Sequence, residues 1–586
     1  MINQKKMYHW MIMVGNEERV SATHLPQENR RSVLEVPLTD ILPNQNDKDH
    51  LRKEFAELIG RVLVSHLQCL SPFRDLLQWH IPHAFSSEMT KKTDLTPLGL
   101  FDADEKNIAD MIKVLGYIHD RYVPYVPTDV NGNVMKPAVK IIITGDQLTK
   151  QNADAALRSV ENANTLHGRL NGIVTAIADF HCSMNFTDLI LKEYYKTTSN
   201  ADMGTLHQLR NIINRRDVSA TALGDKYRAS NTFIRDVTNA SIIAAAMHYF
   251  SMENTKDTPK THPPPATFQS DLEKGNWIHT QLLNIVDMFV MNDNMVLPDR
   301  GTGDEEDTQA YPQAQNTPVK CDFQDCRSTA FKDHAGLTKH VINCHNIFMA
   351  YHGEKTTRGV ESQGRQYTDG IFNYHSGFLK LALLEQDFQD SIKEGDGQRT
   401  VRLWKYKMLH FKQAGRNKYS LEALKLQLDV HALLSPSVAH RLTWNRTINV
   451  CGGAGNNIAL DLNCEHFVRL TKDLMAKQGA NMQFNIAKEI SRTIGELTEL
   501  MTNFDQDCEI KPESGLHAEP NKEADISEMV AVLQNNKVFR FTPGRTYTTF
   551  KNTTPNPLQQ LNAAGVLQWI NEHKKKLHLK QVNGCF

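Results

Sequence analysis

The stretch CDFQDCRSTAFKDHAGLTKHVINCH, running from Cys321 to His345, carries residue types and spacings suited to binding a divalent metal. Four residues separate Cys321 from Cys326, and four separate His340 from His345. Two thiolates on a short turn and two imidazoles on one helix could therefore converge as a tetrahedral S2N2 set around zinc. Phe331 and Leu337 fall near the two apolar positions that such a unit packs beside its metal. Thirteen residues lie between Cys326 and His340, one more than in the usual Cys2His2 finger, and His334 and Cys344 stand as alternative ligands. The competing reading is a pair of reduced cysteines in a loop beside a His-rich helix. A lone finger in a long chain suits a structural clip at least as well as DNA reading, because one module has a small DNA footprint.

A second constellation is acidic. Asp146 follows the apolar run VKIIITG, and Asp179 and His181 follow GIVTAI. Both sets stand at strand carboxyl ends, where open α/β sheets place ligand and catalytic groups. A third carboxylate, Asp461 or Glu465, comes from the helical stretch beginning near Leu460. Three hard oxygen donors of this kind could hold Mg2+ for phosphoryl transfer. The bland alternative is that each strand-terminal Asp caps the next helix and Glu465 faces solvent. GGAGNN lacks the Lys-Ser/Thr ending of a P-loop, so it reads as a turn.

The elements that must position these groups follow from periodicity. The chain opens on a strand through Trp10, Ile12, Val14 and Val20, so close to its first residue that truncation at the amino end is expected. Leu51, Phe55, Leu58, Ile59, Val62 and Leu63 predict a core helix over 49–77, and the pattern returns over 104–120 before Pro124 and Pro127 end it. VKIIITGDQLT, the helix 153–160 and GIVTAIADFH form a β-α-β unit with parallel strands. Helices continue to about Phe250, over 371–434 and over 460–500. THPPP and 298–320 read as linkers, and order is expected to fall off after Asp505, ending in the basic HKKKLHLK.

Composition narrows the function classes. Lys+Arg of 66 against Asp+Glu of 67 gives a net charge of -1, so any DNA-binding surface must be a local patch. Nine scattered cysteines point to a reducing compartment, cytosol or nucleus. The absence of a long uninterrupted apolar run predicts no membrane span.

Four blocks, KIIITGDQLTKQNADAALRS, IADFHCSMNF, WKYKMLHFKQAGRNKYSLEAL and WNRTINVCGGAGNNIALDLNCEHFVRLTKD, together resemble the eukaryotic domain-of-unknown-function family 6589, from about Tyr8 to Leu500. The family has no settled activity, and some members look like transposable-element products. The resemblance implies an RNase H-like α/β core with a mixed sheet, interrupted by a large mainly α-helical insertion that carries the zinc module. Asp146 would then be the second acid, Glu465 the third and His181 their neighbour. The first acid would sit on a strand before the opening one, so the core is expected to be incomplete at the N-terminus. Asp179 departs from the family pattern, which has an uncharged residue two before the histidine.

The domains expected are 1–250 (amino part of the core), 251–320 (linkers with a short helix), 321–350 (finger), 351–505 (helical return) and 506–586 (extension). The leading reading is a transposase-derived, nucleic-acid-associated zinc protein, nuclear rather than cytoplasmic, with DNA as partner and an inactive core that binds Mg2+ poorly. The alternatives are a protein-binding scaffold with a zinc clip, and an active Mg2+-dependent nuclease completed by Glu422 or Asp461. Clustering of Arg215, Arg216, Arg416 and Lys418 beside the acids would favour DNA.

Overall fold

Helix α1 (Gln45–His66) begins at Asn44, whose side chain accepts the Asp47 N–H while the Asp47 carboxylate accepts the Asn44 N–H, a reciprocal cap. Leu51, Phe55, Ile59 and Leu63 line its buried face. The expected continuation to Leu77 is instead a run of 3-10 turns over Gln68–Leu76 containing Pro72, which has no N–H to extend an α-helix. A computed structural model describes residues 9–28, 31–127, 135–291, 368–477, 483–508 and 522–582. The expected zinc ligands Cys321, Cys326, His340 and His345 lie outside the described residues.

The architecture is mixed α/β and mostly helical, with four two-stranded sheets among the described residues. Strand β1 (Met11–Asn16) pairs antiparallel with β2 (Leu95–Phe101), with an irregularity at Met13/Val14. Val20 lies outside the strand and is buried beside Met89 and Trp444. Helix α2 (Ile108–Tyr122) precedes a short antiparallel pair, β3 (Tyr125–Pro127) and β4 (Met135–Pro137). Next come β5 (Ile141–Gly145), α3 (Gln147–Ser159) and β6 (Ile173–Ile177), and β5 and β6 are parallel with Ile141 opposite Ile173. The β-α-β unit read from the sequence is therefore present.

Helix α4 (Phe180–Tyr194) follows β6 directly. Helix α5 (Tyr227–Tyr249) is buried over most of its surface, with Phe233, Val237, Ala240, Ile243 and Met247 in the main core; its later run IIAAAM is apolar on every side, as suits an interior helix. Around this core stand α6 (Asp271–Val286), α7 (Gly370–Glu394), α8 (Gly397–Gln413) and α9 (Asn417–Leu428), contributing Leu282, Phe388, Trp404 and Leu424 among others.

Helix α10 (Pro436–Trp444) leads into a hairpin of β7 (Thr447–Asn449) and β8 (Asn457–Ala459). The glycine loop is its turn: Gly452, Gly453 and Gly455 have φ of 77°, 87° and 72°, a region that suits residues without a Cβ. Helices α11 (Leu460–Lys477) and α12 (Phe484–Asp507) follow. The expectation that order falls off after Asp505 is corrected by two further helices. Helix α13 (Glu523–Asn535) sets Ile526, Met529, Val530 and Leu533 into the main core, and α14 (Ala563–Val582) sets in Val566, Leu567 and Ile570. Lys574, in the expected basic tail, is buried and donates to the Val36 carbonyl at 2.8 Å. No helix among the described residues is long and apolar enough to cross a membrane.

Candidate active site

Both strands of the parallel pair end beside helix starts, and the acids sit there. Asp146 follows β5 and caps α3, its Oδ1 accepting the Thr149 N–H at 2.7 Å. The capping role read from the sequence and a place on the acidic edge are thus both met by one residue.

Helix α4 is capped differently. Asp179 occupies the cap position but makes no cap hydrogen bond. Asp461, at the start of α11 and 280 positions beyond His181, caps α4 instead. Its Oδ1 accepts the Phe180 N–H and its Oδ2 the His181 N–H, each at 3.0 Å, and Oδ2 also lies 3.0 Å from His181 Nδ1. A carboxylate here gains from the positive end of the helix as well as from the hydrogen bonds. One turn later on α11, Glu465 brings Oε1 to 3.9 Å from His181 Nε2, with its side chain 52% exposed.

Asp179 points into the interior. Its carboxylate accepts Arg446 Nε at 2.9 Å, Arg446 Nη2 at 2.7 Å and Trp404 Nε1 at 2.8 Å, while Arg446 Nη2 also donates to the Ile177 carbonyl at 2.9 Å. With side chains 1% and 4% exposed, Asp179 and Arg446 form a buried ion pair tying the end of β6 to the residue before β7.

Burial lowers the His181 pKa, but the Asp461 hydrogen bond and charge, with Asp146 and Glu465 behind them, outweigh it and hold the imidazole above its ordinary value. The proton on His181 is therefore favoured by carboxylates from two directions, a field that would equally favour a divalent cation. Tyr419, whose hydroxyl accepts Asn185 Nδ2 at 3.0 Å, is pushed well up by burial and then by the charges of Cys182, Asp146 and Asp461.

His181, Asp461 and Glu465 are thus in contact, and Asp146 lies near enough to bias His181. Asp146 and Glu465 keep oxygens that the protein does not take up, whereas those of Asp179 and Asp461 are engaged by the protein itself; among the described residues these acids do not close into a ready group of metal ligands. Arg446, Trp404 and Tyr419 are partners the sequence reading did not find. Glu422 is buried on α9 and pairs with Lys150 and Lys425 at 3.0 and 2.8 Å.

Three of the four cations considered for a DNA surface are engaged too. Arg416 donates to Asp188 at 2.6 Å and to the Asn185 carbonyl at 2.9 Å. Arg215 makes a two-point pair with Asp217, and Arg216 donates to Asn214. Lys418 is exposed.

A further group of ligand type lies at the end of α2. His119, Asp120 and His167 place three ligand atoms within 4.8 Å of one another. His167 Nε2 is 3.0 Å from Asp120 Oδ1, and buried His119 keeps Nε2 2.9 Å from the Tyr125 hydroxyl. Two imidazoles and a carboxylate are a donor set zinc accepts.

The sequence profile of DUF6589, a family of unknown function, matches residues 31–517. That span is most of the chain, which belongs to this family. No curated protein and no solved structure matches it.

Proposed function

We propose that this DUF6589 protein is a transposase-derived, nucleic-acid-associated protein with an RNase H-like acidic edge formed by Asp146, His181 and Glu465. The observation that carries this reading is the return of α11, which brings Glu465 to 3.9 Å from His181 at the end of the parallel pair that also bears Asp146. Mg2+, when bound, would supply charge neutralisation for phosphoryl transfer. Asp146 and Glu465 would hold it, and Asp461 would keep the His181 ring oriented.

Two open carboxylates do not suffice for a two-ion site, whose ions need a bridging ligand. Asp461 serves as a helix cap and Glu422 is paired with two lysines, which weighs against an active nuclease. The chain therefore binds Mg2+ weakly and cleaves no DNA above background. Cleavage assays with Mg2+ and Mn2+, alongside Asp146→Ala, test this; robust cleavage abolished by that substitution would defeat it. DNA affinity, carried by local basic residues, should fall steeply with salt. Nuclear residence belongs to the same proposal.

One structural zinc per chain, held by Cys321, Cys326, His340 and His345, completes it. Cys326→Ala retaining full zinc stoichiometry would remove this assignment. A scaffold that binds protein rather than DNA is favoured by a different observation, the engagement of Arg215 and Arg416 in ion pairs. Salt-independent capture of a protein with no DNA affinity would decide for it.

A further inference from the structure

The parallel pair has another end, opposite the acidic edge, where three elements meet. Helix α2 finishes with His119, Asp120, Arg121 and Tyr122, β3 begins at Tyr125, and the connection from α3 reaches β6 through Gly172, whose carbonyl accepts the Ile141 N–H at 2.7 Å. A Cβ at Gly172 would stand 2.3 Å from Val123 Cγ1, so glycine is what lets the start of β6 come this close to the end of α2. His119 lies over the junction. Its ring is fully buried, with Nε2 2.9 Å from the Tyr125 hydroxyl and 3.4 Å from the Gly172 N–H.

The other ring nitrogen is the informative one. His119 Nδ1 is buried and has no hydrogen-bond partner. Asp120 Oδ1 stands 3.9 Å away, beyond hydrogen-bond reach. Neither tautomer cures this. With the proton on Nε2, the ring donates to Tyr125 and the Nδ1 lone pair goes unanswered; with the proton on Nδ1, Nε2 accepts and a buried N–H is stranded. Such a group is costly to leave in an interior, and a surface ion pair between His167 and Asp120 does nothing for it.

Two neighbours supply the rest of a coordination shell. His167 Nε2 lies 3.0 Å from Asp120 Oδ1, and one ligand atom from each of the three residues falls within 4.8 Å of the others. Neighbouring ligands of a tetrahedral zinc stand roughly 3.3 Å apart, given bonds of about 2.0 Å, a value that the 3.0 and 3.9 Å separations bracket. His167 does not hang from a free loop: its carbonyl accepts the Leu170 N–H at 3.0 Å, and the Leu166 carbonyl accepts the Asn171 N–H at 3.1 Å. The side chains of His167 and Asp120 are more than half exposed, which gives an ion a way in.

We propose that His119 Nδ1, Asp120 Oδ1 and His167 Nε2 form a second zinc site, with its fourth position left to water or an exogenous ligand. Zinc on Nδ1 takes up the unanswered lone pair and puts the ring proton on Nε2, where the Tyr125 hydroxyl oxygen accepts it. Outer contacts of this kind fix the tautomer of a ligating histidine. Two imidazoles favour zinc over Mg2+. Three protein ligands with an open position also differ from the closed four-ligand set expected over 321–345. The site stands at the amino ends of β5 and β6, so it is independent of the nuclease-like reading of Asp146, His181 and Glu465.

The test measures zinc content and Co2+ binding of the full chain, the parent beside His167→Ala and Asp120→Ala. A surface pair contributes little to stability, so the metal-free variants should unfold at the parent's urea midpoint and a change in zinc then reads the site. His167→Ala should hold one zinc fewer per chain, and each variant should bind the ion at least about a hundredfold more weakly, the upper range for loss of an outer partner alone. Tyr125→Phe should weaken binding by about tenfold. The Co2+ signal lost in His167→Ala should lack thiolate-to-metal charge transfer. Equal zinc content in parent and His167→Ala overturns the site. So does parent-like binding by Asp120→Ala, a lost Co2+ signal that carries thiolate charge transfer, or no saturable binding below about 0.1 mM ion. A parent with a single zinc that His167→Ala removes would keep this site and discard the one assigned to Cys321, Cys326, His340 and His345, so the two zinc readings fail separately.

Discussion

Arg446→Met should destabilise the protein far more than most single changes, because it strands a buried carboxylate. Asp179 takes three donors, two from Arg446 and one from Trp404. Removing the guanidinium leaves the Trp404 N–H as the remaining partner of a carboxylate whose side chain is 1% exposed. Breaking a buried pair from one side costs about 3–5 kcal/mol. Asp179→Leu should cost a similar amount, since it leaves the cation unpaired. The double variant Asp179→Leu/Arg446→Met replaces both charges with apolar groups and should recover much of the loss, giving a coupling of at least about 2 kcal/mol.

Urea unfolding at pH 7 with an unchanged slope measures all three. Additive losses, or a single loss under about 1 kcal/mol, would refute the claim that Asp179 is a structural anchor. The same series separates anchor from metal ligand. A ligand would change Mg2+ affinity with little effect on the unfolding midpoint, whereas an anchor changes the midpoint first.

Other expectations follow from the same packing. Burial first, then Arg545 for one and Lys380 and Lys407 for the other, push His375 and His410 down to about 3. The unfolded chain therefore binds protons first, near the ordinary value of about 6.5, and stability is lost as pH falls from there toward 3; each histidine should remove roughly 2 kcal/mol between pH 7 and pH 5. A urea midpoint unchanged over that interval would contradict this. Gly397→Ala would place a Cβ 1.9 Å from the Thr443 carbonyl oxygen, forcing α8 from α10, and should cost at least about 2 kcal/mol. Gly116→Ala, in α2 with nothing within 4 Å of the new Cβ, should stabilise by about 1 kcal/mol; thermal melts of the pair check both signs. Asp461→Ala should cost about 1–2 kcal/mol by uncapping α4 and bring the His181 pKa down, because burial remains while the main opposing carboxylate is gone, as NMR titration would report.

The parts of this site that could be read from sequence are those built from neighbours. Asp146 follows five strand residues and precedes its own helix, so its cap on Thr149 is a contact over three positions, and apolar runs expose both strands of the β-α-β unit. Asp461 and Asp179 are different. Each is paired with groups more than 260 positions away, and no spacing rule links a carboxylate to an arginine at that separation. Helices α13 and α14 were missed for a related reason. Their apolar residues stand at helical spacing, but polar stretches isolate each run, and only the surface of α5 and the residues around Val36 show what those runs bury against. The long-range contacts also sort the acids. Asp179 and Asp461 have their oxygens satisfied by fixed donors, so displacing them for a metal would expose Arg446 or uncap α4. Asp146 gives one oxygen to a cap and Glu465 stands half in solvent. Any cation that enters must therefore take its oxygens from that second pair.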